Sequence, residues 1–168
     1  MILDVCCGGR MFYFNKQNEN VVYCDKIKEC HEFPGNRKID INPDVISDFS
    51  HLPFKSNLFD LVIFDPPHLL KAGDNSWLKK KYGRLEPRWQ TKIKLGFNEC
   101  IRVLRPGGTL IFKWNDTDVK IPEILSLFSQ IPLLGHRTTK NLKTHWIVFY
   151  KGEERNEQKR NKAKTKRT

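Results

Sequence analysis

The chain has 168 residues, an ordinary share of apolar side chains and a net charge of +11, which suits one compact domain with a buried core. No apolar run is long enough to span a bilayer, and Met1-Ile2-Leu3-Asp4 leads straight into a strand-like segment, so no membrane anchor or secretory leader is expected. Five cysteines, including the adjacent Cys6-Cys7, point to free thiols and a cytoplasmic setting.

In chain order, Met1–Val5 reads as a first strand and Val21–Cys24 as a second, ending at Asp25; a brief helix around Met11–Asn15 fits between them. Residues 26–44 are polar and broken by Pro34-Gly35 and Asn42-Pro43, which predicts irregular structure with a short strand near Lys38–Ile41. Val45-Ile46-Ser47-Asp48 starts a further turn or strand end. Leu58–Phe64 is a continuous apolar run with one charge, the pattern of a strand covered on both faces. Trp89–Leu104 has helical spacing, with Ile93, Phe97, Ile101 and Leu104 on one side, and Arg105-Pro106-Gly107-Gly108 stops it. Thr109–Trp114 is the next strand and Pro122–Gln130 a helix. Ile131–His136 and His145–Tyr150 form an antiparallel strand pair. The alternation predicts an α/β Rossmann-like fold: a mostly parallel seven-stranded sheet with an antiparallel C-terminal strand pair, helices on its faces, and reduced helices between the first strands.

Charge divides the chain further. Residues 69–94 carry eight Lys or Arg against two acids, and residues 151–168 carry eight against three. The domain is therefore expected over residues 1–150, with residues 69–94 as a basic active-site lid and 151–168 as a basic, disordered tail. Two basic segments on a neutral body imply a polyanionic partner, and nucleic acid is the natural one. In the lid, Lys79, Lys80 and Lys81 suit phosphates, while Trp77 and Tyr82 can stack on bases. Trp89, at a helix start, suits an anchor to the domain.

Ligands of such sheets bind beyond the carboxyl ends of the strands, where Asp4, Asp25, Asp48 and Asp65 all fall. Cys6-Cys7-Gly8-Gly9 makes a glycine-bearing turn that lets a ligand approach the backbone. It lacks the Gly-x-Gly-x-x-Gly pattern of a phosphate cradle. Asp25 can accept both hydroxyls of a ribose, and Asp48 with Phe49 can take an adenine amino group and pack its ring. Asp65-Pro66-Pro67-His68 follows the strand at Phe59–Phe64. Its prolines stiffen the backbone and remove competing N–H donors, so carbonyls and a carboxylate can receive an amino group; a plain strand-ending turn is the other reading. Cys24, Cys30 and His31 lack the paired spacing of a zinc site, and no metal is expected. Cys100 reads as core, and His51, His136 and His145 read as structural histidines.

These residues resemble the motifs of class I S-adenosylmethionine-dependent methyltransferases. Ile2-Leu3-Asp4-Val5-Cys6-Cys7-Gly8-Gly9 is similar to the first cofactor motif, Val22-Tyr23-Cys24-Asp25 to the acidic second-strand motif and Ile46–Phe54 to the adenine-binding segment. Phe59–His68 resembles the catalytic motif of amino-methyltransferases, and Val103–Leu110 the family's helix-to-strand corner. The pattern is similar to small phage and prophage enzymes. The resemblance implies S-adenosylmethionine as cofactor, held by Asp4, Cys6, Cys7, Gly8, Gly9, Arg10, Asp25, Asp48 and Phe49, and Asp65, Pro66, Pro67 and His68 as the catalytic set. Two positions depart from the pattern. Arg10 replaces a glycine; it either pairs with the methionine carboxylate of the cofactor or faces outward. His68 replaces the aromatic residue that stacks on a flipped base. Lys113, at a strand end on the same rim, is expected to contact substrate with the lid residues. The implied reaction is direct methyl transfer to an exocyclic amine of nucleic acid, adenine N6 favoured. Alternatives are a small-molecule or protein substrate, or a binding module without turnover.

Overall fold

A computed structural model describes residues 1–35, 37–71, 73, 83–137 and 143–152. The lid residues Trp77, Lys79, Lys80, Lys81 and Tyr82, and the tail from residue 153, lie outside the described residues. Among the described residues there are nine strands and two helices: β1 (Ile2–Asp4), β2 (Val21–Asp25), β3 (Glu29–Phe33), β4 (Arg37–Ile41), β5 (Val45–Ile46), β6 (Phe59–Phe64), α1 (Trp89–Val103), β7 (Leu104–Asn115), α2 (Ile121–Ser126), β8 (Leu134–Arg137) and β9 (Thr144–Tyr150).

Seven strands form one sheet in the order β5-β2-β1-β6-β7-β9-β8. Neighbours from β5 to β7 run parallel, and β9 pairs antiparallel with both β7 and β8. This bears out the expected seven-stranded Rossmann-like sheet with its antiparallel C-terminal pair. The parallel strands bring the ends of β1, β2, β5 and β6 to one edge, with Asp4 opposite Tyr23 and Ile63 in register.

The two faces differ. Leu3, Val62, Phe64, Leu110, Phe112, Trp114, Ile147 and Phe149 point to one face and form a single buried cluster with Ile93, Phe97, Cys100 and Val103 of α1 and Ile124 of α2. Phe97 stacks on Phe128 at 3.9 Å between centroids, and Phe112 and Phe149 meet Phe128 edge-on. Helices were expected on both faces; both described helices pack on this one. On the other face Cys7, Val21 and Tyr23 form a small cluster with Ile2 and Tyr13. There the segment expected to be a brief helix around Met11–Asn15 is a run of turns. The β6 run was read as covered on both faces, but Leu61 and Ile63 are only half-buried, so among the described residues its second face is thinly covered.

Two local expectations need correction. Residues 29–41 are an antiparallel hairpin, β3 with β4, turning at Gly35 (φ +80°), where irregular structure with one strand was expected. Strand β7 begins at Leu104, and its pairing with β6 jumps from Phe59↔Leu104 to Leu61↔Thr109, so Arg105-Pro106-Gly107-Gly108 bulges out of the ladder, ending the helix as expected but inside a strand. Among the described residues no helix is long and apolar enough to cross a membrane.

Candidate active site

A cleft of about 1060 Å³ opens over the carboxyl ends of β1, β2 and β6, between the turn after β1, the β3–β4 hairpin and the start of α1. That is the upper end of the size range for small-molecule sites, with room for more than one ligand. Cys6, Cys7, Gly8, Gly9, Arg10, Asp25, Phe49, Asp65, Pro66, Pro67 and His68 all line it. Asp4 and Asp48 are not on its wall, nor is Lys113.

The turn after β1 is built by backbone bonds. The Val5 amide donates to Ile63 at 2.9 Å and the Cys7 amide to Cys24 at 2.8 Å, tying the turn across β1 to both neighbours. Gly8 takes φ +47°, a left-handed conformation that suits glycine, and a side chain added there would meet nothing within 4 Å. Its amide donates to Asp25 Oδ2 at 2.9 Å, and the Ile27 amide donates to Asp25 Oδ1 at 3.3 Å. Burial raises the carboxyl above the ordinary value, against the backbone hydrogen bonds it accepts from Gly8, Ile27 and Lys26. Cys6 and Cys7 stay protonated, because burial pushes both thiols up. They are apolar wall, and all five cysteines are free.

Asp4 supports this turn from beneath. It is fully buried and accepts the Tyr13 hydroxyl at 3.0 Å and the Cys6 amide at 3.3 Å. Burial pushes its carboxyl up to about 7. Arg10 lines the cleft but is buried and does not face outward. Its guanidinium donates to the carbonyls of Lys16 and Asn42, each at 2.7 Å, reaches Asp44 at 3.3 Å, and lies 3.7 Å above the Tyr23 ring. It staples the turn to the end of the hairpin. Asp44 in turn accepts the Tyr23 amide at 2.9 Å and donates its own amide to Tyr23 at 2.8 Å, so it continues the ladder of β2.

The adenine-side segment is fixed to α1. Asp48 accepts the Ser50 amide at 3.0 Å and hydroxyl at 2.8 Å, and pairs with Lys92 at 2.9 Å. Burial would raise its carboxyl, but the Ser50 and Lys92 bonds outweigh it and hold the group at about 2. Its carboxylate is therefore committed to the protein, and Ser47 and Phe49 are the residues of this segment that face the cleft. Glu99 accepts the Leu52 amide at 2.8 Å, and Arg102 donates to the carbonyls of Leu52 and Phe54. Phe49 lies against Gly96, where an added Cβ would sit 2.5 Å from the Phe49 ring and 2.9 Å from Phe64.

At the far wall, Asp65 follows β6. Lys113 donates to its Oδ2 at 2.7 Å, and Oδ1 is buried without a hydrogen-bond partner among the described residues. Burial raises the Asp65 carboxyl and Lys113 pulls it partly back. His68 is buried, edge-on to Trp114 at 6.2 Å between ring centroids. Burial, reinforced by the Lys113 charge, pushes its imidazole down to about 4, so it is neutral at pH 7. The Leu85 amide donates to Leu69 at 2.8 Å, and Gly83 (φ +69°) lies so near Pro67 that a Cβ would come within 2.8 Å of its ring.

Sequence reasoning missed the hairpin wall, where Ile39, Ile41 and Asn42 line the cleft, and the segment at Met11 and Phe12. The alternation Lys38-Ile39-Asp40-Ile41 beside Pro34-Gly35 is a hairpin signal that could have found the first. Cys24 is buried and Cys30 exposed, and among the described residues no three His, Cys, Asp or Glu are grouped to hold a metal. His145 bonds Asp116 at 3.1 Å and His51 bonds Ser50 at 3.1 Å.

No protein-family model and no curated protein matches the sequence. Solved structures do match in fold. A protein from Pyrococcus horikoshii superposes with a TM-score of 0.55 at 15% identity, over 90% of this chain and 81% of that one. The 1,6-didemethyltoxoflavin-N1-methyltransferase of Burkholderia thailandensis, solved with 1,6-didemethyltoxoflavin and S-adenosylhomocysteine, gives 0.52 at 17% over 90% and 71%. A SAM-dependent methyltransferase from Leishmania major gives 0.53 at 15% over 88% and 63%. The chain has the Rossmann-like methyltransferase fold.

Proposed function

We propose that this protein is an S-adenosylmethionine-dependent methyltransferase acting on an exocyclic amino group, with adenine N6 of DNA or RNA as the favoured target. The observation that carries the reading is Asp65: a carboxylate on the cleft wall with one oxygen held by Lys113 and the other buried and, among the described residues, unpartnered. A buried acceptor without a partner is costly, and an amine N–H from a ligand would satisfy it.

The residues present fit the cofactor. The unobstructed Gly8 turn admits a ligand against the backbone, Asp25 presents a carboxylate on the cleft wall to ribose hydroxyls, and Phe49 and Ile41 offer apolar walls for a ring. Bound there, S-adenosylmethionine would supply an electrophilic methyl group. Asp65 and the Pro66 carbonyl would hold the amine so that its lone pair faces that group. The gain is one of orientation and charge placement, with no covalent intermediate on the protein. The polyanion partner and the phage-type kinship rest on the basic segments and the Asp65–His68 motif.

The test is transfer of tritiated methyl from S-adenosylmethionine to DNA, RNA and cell-extract metabolites. Label in nucleic acid, lost by roughly 10²-fold or more in Asp65→Ala while cofactor binding persists by calorimetry, is the expected result. Label confined to metabolites or protein would reject the nucleic-acid target. A small planar amine is the second reading, favoured by the small molecule named for the Burkholderia structure.

A further inference from the structure

Lys113 was expected to touch substrate; it does not itself line the cleft, but its ammonium lies between Asp65 and Phe12, which do. It lies on the thinly covered face of the sheet, paired in register with Trp146. Its Nζ is 4.9 Å from the centre of the Phe12 ring and 5.9 Å from that of Trp146, and those rings meet edge-on at 5.4 Å. Aromatic faces stabilise a cation that burial would otherwise disfavour. The side chain is 13% exposed, as is that of Asp65, so their 2.7 Å contact is little screened by solvent. The pair also spans the sheet between two adjacent parallel strands, leaving the carboxylate little freedom to rotate.

We propose that Lys113 is a positioning residue: it clamps one oxygen of Asp65 and thereby aims the other at the substrate nitrogen. This rests on the reading of Asp65 as the amine acceptor. The clamp supplies two things the Asp65-Pro66-Pro67-His68 loop lacks by itself. It fixes the carboxylate rotamer, and it favours the ionised form, which alone can accept on both oxygens. Other titratable groups near Asp65 oppose or ignore this. Asp4 and Cys6, from β1 and the turn after it, carry or would carry like charge, and His68 on the same loop is neutral at pH 7. Phe12 and Trp146 hold the ammonium in place.

Carbon-13 NMR of the full chain labelled at aspartate carboxyls reads the effect directly. Lys113→Met keeps the stem between the rings and removes the charge; the Asp65 titration midpoint is expected to move upward, and Lys113→Arg to bring it back. Lys113→Gln, which keeps a donor and drops the charge, gives the same reading should the methionine variant not fold. In methyl transfer to a poly(dA) oligonucleotide at pH 7, Lys113→Met should lower kcat roughly 10²-fold with KM for S-adenosylmethionine nearly unchanged, and its acid limb should move to higher pH. An unmoved Asp65 midpoint in a folded variant overturns the proposal, as does an unchanged kcat. A wild-type protein that does not methylate poly(dA) rejects the adenine reading, and the titration still decides on Lys113.

Discussion

The two faces of the sheet are held by different physics. On the helical face, aromatic and aliphatic side chains interlock from α1, β6, β7, β9 and α2 into one continuous cluster. On the opposite face, turns replace a helix, and order comes from side chains bonded to backbone: Arg10 to Lys16 and Asn42, Asp4 to Cys6, Asp25 to Gly8, Asp44 to Tyr23. Most of these bonds sit beside the cleft. Burial on the first face is non-directional, close-packed as it is. Hydrogen bonds on the second set distances and angles to within tenths of an ångström. A site that must orient a ligand thus borrows stability from one side and geometry from the other.

Three substitutions test this division. Phe97→Ala, which removes the ring stacked on Phe128 and packed against Phe149, should cost about 3–5 kcal/mol by urea denaturation. Its cofactor affinity, measured where the variant is folded, should change little. Arg10→Ala orphans two carbonyls and should cost less, about 2–3 kcal/mol, but should weaken S-adenosylmethionine binding in calorimetry, because the turn and hairpin lose their staple. Equal loss of affinity in both variants would erase the distinction.

Asp4→Asn should have the smallest effect, and one that depends on pH. The folded carboxyl is raised from its ordinary value of 3.8 to about 7. The folded state therefore holds its proton where the unfolded chain has lost it, and stability falls as pH rises from about 4 to about 7. The asparagine variant escapes this fall. Its stability relative to wild type should improve between pH 5 and pH 8, by on the order of 2 kcal/mol. A pH-independent difference between the two proteins would show that Asp4 is ionised throughout.

The strand ends were legible in the sequence because apolar runs that stop at an acid, such as Phe59–Phe64 before Asp65, are visible one residue at a time. Helix α1 was legible from Ile93, Phe97 and Ile101 for the same reason. Strand β3 was not: Glu29 and Cys30 are exposed and Glu32 is charged, so it has no apolar periodicity to display. The surroundings of Arg10 escaped because its partners are carbonyls, which every residue carries. The Lys113–Asp65 contact joins positions 48 apart and exists only because β6 and β7 are neighbours, a fact of sheet order that no local pattern records. Asp48 was assigned to a ligand from its place after a strand; its pairing with Lys92 depends on where α1 docks.

Gly96 has a consequence for how the cleft could change. Helix α1 lies against Phe49 and Phe64 with no room for a methyl group between them. The depth of the pocket beneath Phe49 is therefore dictated from behind, by a helix that itself lines the cleft only through Trp89, Lys92 and Ile93. Enlarging position 96 would push that floor outward and make the recess shallower, altering which rings fit without replacing any residue on the wall.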